Sequence, residues 1–277
     1  MSTEALLQRS SEDEPQEPRV ELALVHSDDR HELAGTGSVA IASEQPRPWL
    51  GLAPHDWTRL RSAVDAGAKR ALDVVVSASL LLLLLPVILA AIILVRLDSP
   101  GPAFFQSLRA GYRGRQLRML KFRKMRDGAS GRPLTTDDDN RFTRVGGWLA
   151  KTKVDEIPQL WHVLRGDMSL VGPRPEDPRF VEAHQEDFDT ILSVRPGVTG
   201  YSQIAFAEES RILDDDDPMA HYLDRLLPQK LAMDRMYARH RTVSVDLKVL
   251  FWTAAAVVLR RQVAVHRDSG RMNLRKR

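Results

Sequence analysis

The sequence predicts an α+β fold, mostly helical: a re-entrant membrane helix hairpin followed by a larger soluble domain that carries interfacial amphipathic helices. Three observations predict it. Ala71–Val95 is a run of 25 residues whose single charge is Asp73, and Pro86 interrupts it. Basic residues flank that run on both sides. Beyond residue 99, apolar residues recur mostly at helical spacing, with only short strand-length runs between them.

Taken in order, residues 1–55 hold ten acids and four Lys or Arg with no sustained apolar period. Such a stretch buries too little surface to offset its chain entropy, so it reads as a disordered acidic tail. No basic region followed by an apolar run marks a signal peptide. Residues 56–68 read as a linker or an interfacial segment. Residues 69–98 form the proline-broken membrane helix. A proline inside a helix removes one hydrogen bond and clashes with the preceding turn, so a break is expected at Pro86. The arm from Val87 to Leu97 has 11 residues, or roughly 16 Å at 1.5 Å each, about half a bilayer core. Lys69 and Arg70 lie before the run, and Arg96, Arg109, Arg113, Arg115 and Arg118 follow it. Cations favour the cytoplasmic side. A straight span would place one cluster outside, whereas a hairpin keeps both inside.

The soluble domain is expected over 99–260. Phe104–Leu108 and Leu117–Phe122 fit short strands or helical turns, and Thr143–Leu149 a strand or a helix start. Ile157–Leu164, Glu182–Leu192, Asp224–Arg239 and Val243–Leu259 carry helical spacing. The uncharged part of the last helix, Val249–Leu259, is too short to cross a bilayer but suits its surface. Residues 261–277 read as a basic tail, in a stretch after Leu259 with seven Lys or Arg and one acid, which suits an anionic membrane face.

Composition narrows the chemistry. Of 277 residues, 43% are hydrophobic and 28% charged, enough apolar material for a core. Lys and Arg number 40 against 37 Asp and Glu, a net charge of +3, so charge placement says more than charge total. The chain has no cysteine. That excludes disulfides, thiolate metal sites and cysteine nucleophiles. No G-x-S-x-G, Walker A or G-x-G-x-x-G occurs, and the histidines lack metal-ligand spacing.

Three constellations carry candidate chemistry. Arg109–Arg126 holds eight Lys or Arg and no acid, with Lys121 and Arg123 inside it. Such cations hold phosphates or face anionic lipid, and the adjoining apolar run favours lipid over nucleic acid. Asp155-Glu156 pairs two carboxylates at a helix start. One can serve as nucleophile and the other as an oxygen ligand for Mg²⁺, although acids at a helix start are also common for structural reasons. Gly172-Pro173-Arg174-Pro175-Glu176 sets one arginine between two stiff residues. Pro173 and Pro175 lower the entropic cost of fixing the Arg174 guanidinium, which suits a phosphate clamp or a plain rigid turn.

In this order the pieces resemble a known family, the bacterial sugar transferases or monotopic phosphoglycosyl transferases, in their small form. The resemblance runs from Lys69-Arg70-Ala71-Leu72-Asp73 to Asp246-Leu247-Lys248-Val249-Leu250. Its markers are the Pro86-broken apolar run, Lys121-Phe122-Arg123-Lys124-Met125, Val154-Asp155-Glu156-Ile157-Pro158-Gln159-Leu160, Gly166–Glu176 and Arg195-Pro196-Gly197-Val198-Thr199-Gly200.

The resemblance implies a re-entrant helix and a catalytic domain on the cytoplasmic face of the inner membrane. It also implies transfer of a sugar 1-phosphate from a nucleotide diphosphate sugar, a UDP-sugar in the first instance, to a polyprenyl phosphate. That step would initiate a polysaccharide or glycoconjugate. Carried over residue by residue, Asp155 is the covalent nucleophile, Glu156 sits at Mg²⁺, Arg174 holds phosphate oxygens, and Lys121 and Arg123 are further phosphate candidates. Expected partners are the donor, the polyprenyl phosphate and membrane lipids, with no nucleic acid; a homo-oligomer is compatible with this. The chain departs from the family where Ala150 replaces the usual arginine five residues before the nucleophile. It departs again where His162 replaces a frequent asparagine and Leu85 the serine before the helix-breaking proline. Two other readings stand beside this one: a glycosyltransferase acting on a lipid-linked acceptor, and an inactive membrane scaffold, the latter motivated by Ala150.

Overall fold

The computed structural model describes residues 54–129, 139–207, 209, 217–259, 261–266 and 269–274. The acidic tail expected at 1–55 falls outside the described residues, apart from residues 54 and 55. Helix α1 runs from Pro54 to Leu83, so 56–68 is helix and continuous with the apolar run. Helix α2 spans Leu85–Asp98 with Pro86 in its first turn. Pro86 has no N–H to give the carbonyl four residues back, and the chain bends there by 59° between Val64–Leu83 and Leu85–Asp98. Among the described residues no single helix is long and apolar enough to cross a membrane, while this bent pair is by length and composition.

Two seven-residue strands follow, β1 (Phe104–Ala110) and β2 (Gln116–Phe122), antiparallel with Phe104 opposite Phe122 and Ala110 opposite Gln116. Both are therefore strands and not helical turns. The reversal between them uses left-handed backbone at Arg113 and Gly114. Thr143 is a helix cap: its hydroxyl accepts from Gly146 N–H at 2.9 Å and starts α3 (Arg144–Thr152). A 3₁₀ turn, Val154–Glu156, leads into α4 (Gln159–Arg165). The expected helix at 182–192 is two, α5 (Pro178–Ala183) and α6 (Gln185–Leu192), divided at His184.

Strand β3 (Ser169–Val171) pairs in parallel with β4 (Gly197–Thr199), and α7 (Tyr201–Ala205) follows. The glycines of the two stiff turns have a steric reason. A Cβ on Gly172 would lie 2.5 Å from the Arg195 carbonyl oxygen, and one on Gly197 2.1 Å from Gly172 N. The two turns thus meet backbone to backbone. Helix α8 (Pro218–His221) passes through a π turn at Tyr222–Leu226 into α9 (Leu227–His240), where Pro228 interrupts the regular ladder. Helix α10 spans Val243–Leu259.

Past α10 lies a difference from the expected basic tail. Strands β5 (Val263–Val265) and β6 (Met272–Leu274) form an antiparallel hairpin. Val263, Val265 and Met272 are buried in the main core with Leu170, Tyr201 and Tyr237. Alternating burial along Val263-Ala264-Val265, with both valines inside, outweighs the surrounding charge. A smaller core joins α2 to the domain through Ala91, Val95, Phe122 and Leu149. Burying Phe122 and Leu149 is worth about 1.5–3 kcal/mol each, which fixes the angle of α2 on the sheet. The rest of the hairpin is open: Leu82, Leu83, Leu89, Ile93 and Leu97 are 52–80% exposed.

Candidate active site

The candidate nucleophile is held by a chain of local decisions. Helix α3 ends at Lys153, whose left-handed φ of 59° turns the chain into Val154–Glu156. Helix α3 also sits hard against the second residue after β2, since a Cβ on Gly146 would lie 1.9 Å from the Lys124 carbonyl oxygen. Asp155 and Glu156 are thereby set beside the end of β2. Lys121 Nζ donates to Glu156 Oε1 at 2.8 Å. Asp155 is 3% exposed, and its Oδ1 has no hydrogen-bond partner.

The two neighbours titrate in opposite directions. Burial, then the negative Glu156 beside it, raises the Asp155 carboxyl. Burial alone would also raise Glu156, but Lys121 and Arg174 outweigh it and hold it down to about 2. Glu156 is thus a fixed anion between two cations.

Arg174 approaches from the stiff turn after β3, with Pro173 and Pro175 both buried. Its guanidinium pKa is raised: burial would lower it, but Glu156, Glu176 and Glu209 more than compensate. Helix α9 grips this turn twice. Lys230, 3% exposed, lies 3.3 Å from Glu176 Oε1 and donates to Tyr222 Oη at 3.1 Å. One turn on, Asp234 is 4% exposed and faces Ser202 and the Arg174 backbone, with its Oδ1 lacking a hydrogen-bond partner. Burial pushes the Asp234 carboxyl up to about 7.

Asp155, Glu156, Lys121 and Arg174 therefore meet in one place, and Pro173 and Pro175 shape the turn that brings Arg174 there. Arg123 does not join them. Its guanidinium donates to Pro100 O and Ser99 O, both at 2.7 Å, and to Ser99 Oγ at 2.9 Å. It caps the C-terminal end of α2, where helix carbonyls lack internal partners. With its guanidinium engaged there, a phosphate role for Arg123 is replaced by an anchoring one. Pro86 lies away from the site, at the bend.

Several residues were invisible as site or anchor residues in the sequence. Lys69 donates to Val171 O at 3.1 Å and pairs with Asp246; Tyr237 Oη lies 2.6 Å from Asp246 Oδ1. Arg70 donates to Val163 O at 2.6 Å and Leu164 O at 2.8 Å. Asp73 Oδ1 accepts from Leu170 N–H at 3.0 Å. These flanking charges tie α1 to the domain just ahead of the Arg174 turn. His162 is structural: its Nε2 accepts from Leu120 N–H at 3.1 Å. Lys230 and Asp234 carried a signal in the sequence, because they continue the apolar stripe of Leu227, Leu231 and Tyr237 at helical spacing. A charge in a buried stripe needs a partner.

A divalent cation can be tested against these groups. Among the described residues no cluster of three His, Cys, Asp or Glu exists. Mg²⁺ needs only one or two carboxylates when substrate phosphates and water complete its shell. The partnerless Asp155 Oδ1 and the ionised Glu156 fit that smaller requirement.

Comparison with known proteins places these residues in a family context. A family model described as Bacterial sugar transferase matches residues 64–260. The undecaprenyl-phosphate glucose phosphotransferase of Komagataeibacter xylinus is 34% identical over 198 residues, covering 68% of this chain and 35% of that protein. The UDP-glucose:undecaprenyl-phosphate glucose-1-phosphate transferase of Caulobacter vibrioides is 36% identical over 203 residues, covering 72% of each. An exopolysaccharide production protein, PSS, of Rhizobium leguminosarum bv. phaseoli is 34% identical over 206 residues, covering 71% of this chain and 98% of that protein. For three relatives including the first, the matched part is 35–45% of their length, so this chain corresponds to a portion of those proteins.

Proposed function

The chain belongs to the bacterial sugar transferase family, and from that premise we propose that it moves a sugar 1-phosphate from a nucleotide diphosphate sugar to a polyprenyl phosphate through Asp155. The observation that carries this reading is a buried carboxylate with one oxygen left without a partner, beside an anionic Glu156 and the cations Lys121 and Arg174. In the first step an Asp155 oxygen bonds to the β-phosphorus of the donor, and the bridging oxygen leaves with the nucleoside monophosphate. In the second, an oxygen of the acceptor phosphate bonds to the same phosphorus, and Asp155 departs as a carboxylate. Neither step needs a proton.

The residues divide this work. Arg174 is held by the two prolines and by α9, so its guanidinium needs little reorganisation to meet phosphate oxygens. Lys121 keeps Glu156 ionised and oriented. Glu156, with the free oxygen of Asp155, would hold Mg²⁺, which supplies positive charge against the donor diphosphate. A covalent relay lets a soluble donor and a lipid acceptor use one site in turn.

The membrane placement belongs to the same proposal. A bent helix pair with exposed leucines, and Trp148 and Trp161 about half exposed on α3 and α4, suit a re-entrant anchor with the domain at head-group depth on the cytoplasmic face. Relatives that carry undecaprenyl phosphate and UDP-glucose in their names support a polyprenyl acceptor and a UDP-sugar donor.

The test uses detergent-solubilised protein, Mg²⁺, polyprenyl phosphate and a panel of nucleotide diphosphate sugars. Nucleoside monophosphate release that Asp155→Asn abolishes is the expected result. Nucleoside diphosphate release would instead indicate a glycosyltransferase. Single cysteines at Ala66 and Gln106, both exposed and flanking the hairpin, should label from the cytoplasmic side; labelling of Ala66→Cys from outside would show a span.

A further inference from the structure

The site contains a second unused group besides the Asp155 oxygen. Lys124 follows β2, and its backbone is pinned: its carbonyl accepts from Thr143 N–H at 3.1 Å and abuts Gly146. Its side chain is half-buried, with Nζ 5.5 Å from the centre of the Phe142 ring. Among the described residues no carboxylate lies within ion-pair distance of that ammonium. The acids around it are Asp155 and Glu156, with Asp139 nearby. Glu156 is taken by Lys121, and Asp139 is gripped by Arg141 through Nε at 2.8 Å. Asp155 alone is left, and it too has an unpartnered oxygen.

A half-buried ammonium and a buried carboxylate that feel each other's charge without an ion pair are costly to leave apart. An anionic group bonded to the carboxylate and lying against the ammonium satisfies both. A phosphoryl group does so: once it is on Asp155, its non-bridging oxygens carry the negative charge that a lysine receives as a point charge. We propose that the Lys124 ammonium, braced on Phe142, is a catalytic residue that holds the transferred phosphoryl group on Asp155. This assignment rests on the reaction proposed above. The bonds are those already given: Asp155 oxygen to β-phosphorus forms as the nucleoside monophosphate leaves, and Lys124 contributes charge without giving up a proton. The neighbouring cations have other duties, since Lys121 serves Glu156 and Arg123 caps α2. The burial that lowers the Lys124 pKa also makes its charge count for more at the phosphoryl oxygens.

The test compares wild type, Lys124→Met, Lys124→Arg and Asp155→Asn in two measurements. Without acceptor, wild type should release a burst of about one nucleoside monophosphate per enzyme. Lys124→Met should slow the burst by about 10²-fold or more, with the donor KM little changed, and Lys124→Arg should recover part of it. Thermal unfolding without ligand should change little in Lys124→Met, because the ammonium has no carboxylate contact to lose and the methionine can still pack on Phe142. The second measurement needs no donor: trifluoroberyllate with Mg²⁺, a mimic of an aspartyl phosphate, should raise the melting temperature of wild type and of Lys124→Arg but not of Lys124→Met. A wild-type burst in Lys124→Met with Asp155→Asn inactive overturns the assignment and leaves the reaction standing. Turnover in Asp155→Asn overturns the covalent reaction itself. Should wild type release nothing from any donor, the trifluoroberyllate shift decides, and an equal response in wild type and Lys124→Met overturns the role of Lys124.

Discussion

Two buried lysine–carboxylate clusters stand in this molecule, and they are built to opposite standards. In the anchor, Lys69, Asp246, Tyr237 and Asp73 share their hydrogen bonds with Val171 O, Ser169 Oγ and Leu170 N–H, and no side-chain atom of the four is left buried without a partner. In the site, Lys121 and Glu156 are paired, while Asp155 Oδ1 has nothing. A saturated cluster holds a shape. An unsaturated one stores an unmet electrostatic demand that a substrate can fill. On the proposed mechanism the same residue types serve anchorage in one place and reaction in the other.

Substitutions at the two clusters should separate along that line. The largest effect is expected at Asp155→Asn, a loss of at least about 10⁴-fold in transfer with no loss of stability, measured by monophosphate release and by unfolding. A matching loss of stability would mean that Asp155 is a structural group. In the anchor, Asp246→Ala removes the carboxylate that Lys69 and Tyr237 share and leaves both only Val171 O as acceptor. It should cost about 3–5 kcal/mol by denaturation in detergent. Arg174→Ala should lower turnover by about 10²-fold, whereas Arg123→Met should cost about 1–3 kcal/mol of stability and leave the donor KM alone. Those two arginines thus test whether position in the sequence or position in the fold decides function.

The smallest effect is a pH dependence. The Asp234 carboxyl is raised from about 3.9 to about 7 in the folded protein, so between those values the folded state binds the extra proton. Its contribution to stability is complete below about pH 4 and is lost as pH rises through about 7. The groups that face it are Ser202, the Arg174 backbone, Lys230 and Glu176. Asp234→Asn should flatten the decline of melting temperature between pH 5 and 7, and an unchanged decline would assign it to another group.

Much of the site was legible beforehand, because short motifs are local. Asp155 and Glu156 sit in one turn, and Pro173-Arg174-Pro175 stiffens itself, so these residues could be named without knowing what surrounds them. Arg123 and Lys124 could not be told apart that way. They are neighbours in a basic run, and only the docking of α2 and α3 against the end of β2 gives one to the helix cap and leaves the other under the charge of Asp155. The C-terminal hairpin was hidden for a related reason. Charges around Val263-Ala264-Val265 dominate the composition, while burial depends on three apolar side chains reaching Tyr201 and its neighbours.

Sequence alone determined the helix-rich α+β class, the break at Pro86 and the membership signalled by the motif order, since each follows from residue type and spacing along the chain. Tertiary structure decided which cations are bound to backbone carbonyls and which face the Asp155–Glu156 pair. A charged side chain has no fixed role until burial sets the cost of leaving it unpaired and the fold sets which partner lies within reach.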